Sequence, residues 1–196
     1  MRGMIVVAGL TAMSLVSGGA VLEAQSAAER QQMKAEFLQR VDAYVGLHRS
    51  LEQSLPAQIV SRDPEAIAAS NRALGKAMRK ARARAAQGDI FTPGIAVYLR
   101  VVIAETLRRE AILDMLGIIE DGNEVRTPAR VNGDYPAGRA IPFIPPCLLE
   151  ALPELPGEVR YSFIGRDLIL WDMHAGLIVD FVPRAVPVFT GPCPRP

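Results

Sequence analysis

Apolar residues recur with helical spacing through the first half of the chain and with strand spacing near its end, which predicts helices first and strands second. Phe37, Val41, Tyr44, Val45, Leu51 and Leu55 share one face of a helix expected over about 27–54, with Glu36 one turn before Arg40 and Pro56 as its stop. His48 lies on the same stripe, and Glu52 follows it by one turn. A second helix is expected from an Asp63 cap, with Pro64 in the first turn and Glu65 behind it, as far as Gly88. Its apolar face is narrow: Leu74, Ala77, Met78, Ala81 and Ala85. A third opens at GDIFTP, where Thr92 caps and Pro93 occupies the first turn, and runs to about Leu116. Its IAVYLRVVIA half is apolar nearly all round, which predicts the most buried helix.

Pro and Gly become frequent after Gly117, so 117–158 reads as a connector, with a helical turn or two at LLEAL. Three runs then follow, VRYSFI, DLILWD and GLIVDFV, rich in β-branched and aromatic residues and separated by turn-like gaps. Such spacing predicts an antiparallel meander. Strict alternation places Tyr161 and Phe163 on one face of the first strand, and Val179 and Phe181 on one face of the last. Three strands with an apolar face need a cover, and the helices supply it. The expected fold is therefore α+β, with an N-terminal layer of about three helices on a small C-terminal antiparallel meander. It divides into a helical subdomain (25–116), the connector (117–158) and the meander with a Pro-rich tail (159–196), all within one compact domain.

Composition narrows the class. With 196 residues, 49% hydrophobic, 22% charged and a net charge of +1, the whole chain is neither disordered, collagenous, a coiled-coil rod nor a strongly basic nucleic-acid binder. The N-terminus reads MRGMIVVAGLTAMSLVSGGAVLEAQS: Arg2, an uncharged apolar stretch over 4–16, then small residues around a Leu22-x-Ala24 step. This is the layout of a secretory signal peptide over 1–24, with the mature chain starting at Gln25 and a periplasmic or secreted location. The alternative is an N-terminal membrane anchor, since 4–22 carries no charge. Without such an anchor no transmembrane helix remains after processing. Both cysteines, Cys147 and Cys193, fall in the exported region, where a disulfide tying the TGPCPRP tail to IPFIPPCLL is the expected state.

Few residues suit chemistry. Of the two histidines, His48 on its apolar stripe reads as a buried imidazole with one hydrogen bond, pairing with Glu52. His174 sits in the turn DMHAG, two residues after Asp172 and ahead of Asp180 on the next strand. An Asp-x-His at a turn presents a carboxylate and an imidazole to one divalent transition metal, so Asp172, His174 and Asp180 form a candidate ligand set; an exposed turn histidine is the plain alternative. No G-x-S-x-G, H-E-x-x-H, P-loop or G-x-G-x-x-G occurs, and a thiol-dependent hydrolase or transferase would have to use Cys147. The strongest charge feature is the acid-free run of Arg72, Lys76, Arg79, Lys80, Arg82 and Arg84. These six are candidate binding residues for an anionic envelope surface or an envelope protein, or else a solvated helix face. Exported context and the lack of interleaved aromatics exclude nucleic acid as partner. Asn132, Asp134, Tyr135 and Arg139 of the connector are further polar candidates.

The segment YSFIGRDLILWDMHAGLIVDFV resembles the C-terminal β module of small exported bacterial proteins, among them the periplasmic nickel/cobalt-homeostasis family. GDIFTP with its helix, VNGDYP, IPP and this ending together resemble uncharacterised exported proteins of Gram-negative-type bacteria. The resemblance implies a location and brings no activity, cofactor or ligand with it. On the residues alone, a non-enzymatic envelope binding or structural module is the expected role, with a metal-binding protein or metal-dependent enzyme as the first alternative.

The intact mass of protein recovered from an exporting bacterial host is expected to begin at Gln25, with cysteines that accept alkyl groups only after reduction. An unprocessed chain would identify residues 4–22 as an anchor.

Overall fold

The structure, a computed structural model, describes residues 17–55, 63–112, 117, 128–135 and 143–189, with side chains from residue 26 onward. Among the described residues the bounded elements are α1 (Ser17–Ser54), α2 (Pro64–Ala81), α3 (Pro93–Arg109), α4 (Pro146–Ala151), β1 (Val159–Ile164), β2 (Asp167–Asp172) and β3 (Leu177–Val182). The strands form one antiparallel sheet in the order β1-β2-β3, so the fold is α+β as the periodicities predict. α1 starts ten residues earlier than its apolar stripe implies, and the Ala24–Gln25 bond expected to be cleaved lies within it. No helix among the described residues is long and apolar enough to cross a membrane; residues 4–16 lie outside them.

Local chemistry sets the helix starts. Asp63 accepts from the Glu65 N–H at 3.0 Å ahead of Pro64, and Thr92 accepts from the Ile95 N–H at 3.4 Å ahead of Pro93. The stops come earlier than the sequence pattern suggests. α2 ends at Ala81 rather than Gly88, because the Arg82 carbonyl is taken by the Asn132 side-chain amide at 2.8 Å and by a tight turn to the Ala85 N–H. α3 ends at Arg109 rather than Leu116 in a Schellman motif. There Ala111 has φ +53, its N–H reaches the Arg108 carbonyl and the Ile112 N–H reaches that of Leu107. Nor is α3 buried all round: Ile95, Leu99, Ile103 and Leu107 are fully enclosed, but Val97 is 58% exposed.

The helices and one face of the sheet share the main core, in which Phe37 stacks on Phe91 (5.4 Å between centroids) and Leu74, Met78, Leu168 and Leu170 are enclosed. Tyr161 and Phe163 face this core together, as alternation requires. The last strand departs from alternation. Trp171 pairs with Ile178 but Leu170 with Asp180, leaving Val179 as an extra residue in a β-bulge. Val179 therefore joins the helix-facing core while Phe181 packs on the opposite face with Ile164, Ile169 and Ile178. That opposite face is covered by residues 128–135. Asn132 donates to the Ile178 carbonyl at 2.8 Å, Ile178 donates back to Gly133 at 2.9 Å, and Tyr135 stacks on Trp171 at 4.2 Å.

In register with Leu170, Asp180 is fully enclosed. Its carboxylate accepts from the N–H groups of Gly88, Ile90 and Phe91, at 2.8–3.2 Å, and of Phe181 at 2.8 Å. It pins the turn between α2 and α3 to the sheet. Asp180→Ala is expected to lower unfolding free energy on the order of 3 kcal/mol in urea denaturation, since it strands several buried donors at once. A loss below about 1 kcal/mol would mean that water or relaxed backbone replaces the carboxylate.

Candidate functional site

The second enclosed carboxylate, Asp172 at the end of β2, organises a polar cluster beneath α1. Tyr44, His48 and Glu52 follow one another at four-residue spacing on α1, so all three lie along one side of the helix. Asp172 Oδ2 accepts from the Tyr44 hydroxyl and from His48 Nδ1, each at 2.6 Å, and Oδ1 accepts from the Ala175 N–H at 2.8 Å. Because the ionised carboxylate only accepts, Nδ1 carries a proton in this arrangement, and in neutral imidazole the lone pair then resides on Nε2. His48 is fully enclosed, and its Nε2 has no hydrogen-bond partner among the described residues.

Two groups approach that nitrogen from the solvent side. Glu52 Oε2 lies 3.8 Å from His48 Nε2, and Glu52 Oε1 lies 3.9 Å from His174 Nδ1. The two imidazole centroids are 5.8 Å apart, and one donor atom from each of His48, Glu52 and His174 lies within 4.8 Å of the others. His174 reaches the cluster because the turn between β2 and β3 is held against α2. A Cβ on Gly75 would come within 2.4 Å of the Ala175 carbonyl oxygen, so only glycine permits the approach.

The surrounding charges follow from burial. Enclosure pushes the Asp172 carboxyl up, but the bonds from His48, Tyr44 and the Ala175 N–H outweigh it and hold the group below the usual carboxylate value. The bond to Asp172 raises His48 against the opposing effect of burial, and the charges of Asp172, Glu52 and Glu158 add to the rise. Burial, followed by the Asp172 charge, drives Tyr44 far above its ordinary range, so it stays a neutral donor. The Arg82 guanidinium lies 5.0 Å over the Tyr44 ring, and burial lowers its pKa.

The residues singled out from sequence are distributed differently. Asp172, His174 and Asp180 do not form one ligand set: both Asp172 oxygens are engaged behind His48, and Asp180 is saturated by backbone amides. Of the cationic run, Arg82 donates to Asn132 Oδ1 and the Val179 carbonyl, and Arg79 donates to the Asn132 carbonyl and the Asp134 carboxylate. Both fasten the connector to α2, Arg82 from a largely buried position and Arg79 with about a third of its side chain still exposed. Arg72, Lys76, Lys80 and Arg84 remain exposed, as does Ala81, so the narrow apolar face is Leu74 and Met78 with half-buried Ala77 and Ala85. Asn132 and Tyr135 are packed into the fold; Arg139 lies outside the described residues. Cys147 is half-buried in α4, with no disulfide among the described residues, and its expected partner Cys193 lies outside them. His48 and Glu52 are visible in the sequence as an i, i+4 pair, but nothing local links them to Asp172, 124 residues away.

No protein-family model, curated protein or solved structure matches the chain.

Asp172→Ala is expected to lower unfolding free energy by about 3–5 kcal/mol, because it strands the Tyr44 hydroxyl and His48 Nδ1 in the interior. Tyr44→Phe, which removes one of three donors, is expected to cost about 1–2 kcal/mol. Equal losses in the two variants, measured by urea denaturation, would contradict a carboxylate shared by several donors.

Proposed function

We propose that the chain is an exported metal-binding protein that holds one divalent transition-metal ion between His48, Glu52 and His174. The observation that carries this reading is the fully enclosed His48, whose Nδ1 is committed to Asp172 and whose Nε2 faces a carboxylate and a second imidazole without a hydrogen-bond partner among the described residues. A buried polar nitrogen left without a partner is costly, so a group that supplies one is expected there. A carboxylate behind a histidine is the usual outer support of a metal-bound imidazole: it fixes the ring and raises its basicity. Two imidazoles and a carboxylate suit Zn, Co, Ni or Fe and disfavour Mg or Ca.

Metal–nitrogen bonds of about 2.0–2.1 Å at a tetrahedral angle put donor atoms about 3.4 Å apart, so donors now within 4.8 Å of one another must close by up to about 1.5 Å. His48 is enclosed and bonded to Asp172, whereas the side chains of Glu52 and His174 are partly exposed and would make the adjustment. Location rests on the apolar stretch over 4–16 and the small residues after it. In that compartment the Cys147–Cys193 disulfide remains the expected state of the thiols.

Purified protein loaded with Zn(II) and dialysed against metal-free buffer is expected to retain one equivalent. His48→Ala and His174→Ala are expected to lose it, and Asp172→Asn to weaken retention by about 10–100-fold in chelator competition. Wild type that retains no metal, or a His174→Ala variant that retains it fully, overturns the reading.

A further inference from the structure

A groove of about 320 Å³ runs along the β2–β3 turn, with Arg72 and Arg79 of α2 on one side and Met173–Gly176 on the other. His174 lines this groove and is also a donor of the metal cluster, so the two share a wall. Building on the metal reading, we propose that the groove binds a small anionic ligand, a phosphate or carboxylate group, which bonds to the open side of the metal and is gripped by Arg72 and Arg79.

Three features of the site converge on this ligand. Three protein donors leave at least one coordination position, and a metal with three protein ligands is the open kind of site that takes water or an exogenous ligand. The buried donor, His48, closes the inner side, whereas the His174 side chain is 50% exposed and lines the groove, so an ion held by His174 would be reached from the groove side. The anion preference comes from the guanidiniums. Arg72 is exposed at the groove, and Arg79 already holds a carboxylate there, that of Asp134. Among the described residues Asp134 is the one acidic group lining the groove, and its side chain is 85% exposed, so it occupies Arg79 from a position where solvent or a competing anion displaces it at little cost. A metal dication and two guanidiniums facing one small volume select an anion, and planar guanidinium forks favour carboxylate and phosphate geometry.

The test uses full-length mature protein carrying one equivalent of Co(II), whose visible absorption bands change when an anion enters the coordination sphere. Cobalt content is measured first. Retention by wild type with loss in His174→Ala leaves the metal reading standing, whereas wild type that does not retain cobalt fails at that stage, and the groove proposal fails with it. The retained complex is then titrated with inorganic phosphate and, separately, acetate. A saturable band shift is expected with at least one of them. Arg72→Ala is expected to raise its midpoint about tenfold, and Asp134→Asn to lower it by freeing Arg79. Neither variant is expected to change cobalt content. Absence of any band shift, or equal midpoints in wild type, Arg72→Ala and Asp134→Asn, overturns the anion site while leaving the metal site intact.

Discussion

The arrangement of the helix layer on the sheet depends on one buried carboxylate. A charge taken out of water is tolerated only when donors surround it, and Asp172 finds them in two different regions of the fold. Tyr44 and His48 come from successive turns of α1, and the Ala175 N–H comes from the turn that follows β2. Apolar contact alone would allow α1 to rotate or slide by a fraction of a turn at modest cost. Two bonds of 2.6 Å to one oxygen do not, so they fix which face of α1 meets the sheet. Arg82 over the Tyr44 ring extends the same constraint to α2. On the neighbouring strand Asp180 has the corresponding role, holding the turn between α2 and α3 through its backbone N–H groups. The apolar core supplies bulk stability, and the two aspartates supply register.

Much of the fold follows from local pattern. The three strands lie where β-branched and aromatic runs place them, and Asp63-Pro64 and Thr92-Pro93 start helices because capping oxygen and missing N–H act within one turn. The misplaced boundaries have causes that local pattern does not carry. α3 stops in a Schellman motif whose left-handed residue is Ala111, where glycine would have announced the stop. α2 stops because Asn132, 50 residues away, takes the carbonyl of Arg82. The bulge at Val179 is likewise invisible to strict alternation, yet it turns Asp180 from the connector-covered face to the helix-facing one.

The site divides in the same way. His48, Glu52, Asp172 and His174 all attract notice in the sequence as titratable groups in short local pairings, His48 with Glu52 and Asp172 with His174. The His48–Glu52 pairing is kept, at 3.8 Å, while the structure adds two contacts across the pairs: Asp172 supports His48, and His174 joins Glu52. Only the packing of α1 across the end of β2 makes these added contacts, and no periodicity within either segment encodes them. The cationic run shows the opposite error. Its six charges read as one face on a wheel, but Arg79 and Arg82 sit where α2 meets the connector and β3, and their guanidiniums bond to backbone carbonyls and to connector side chains. Arg82 is thereby turned inward, Arg79 keeps part of its guanidinium at the surface, and Arg72, Lys76, Lys80 and Arg84 remain exposed.

Charge balance gives the metal reading a further physical basis. Asp172 and Glu52 place two negative charges on either side of the His48 ring, and the Arg82 guanidinium over Tyr44 is already committed to the Val179 carbonyl and Asn132. A dication held as proposed between His48, Glu52 and His174 would offset both carboxylates without disturbing the bonds that hold α1 to the sheet, because Asp172 would continue to accept from Nδ1 while the Nε2 lone pair met the ion. The division of labour follows from burial. The enclosed half, Tyr44, His48 and Asp172, is shaped by folding and stays rigid, and the exposed half, Glu52 and His174, adjusts to what arrives. On the proposed reading, such a site would form its inner wall as a condition of folding and leave its outer wall open to an incoming ion.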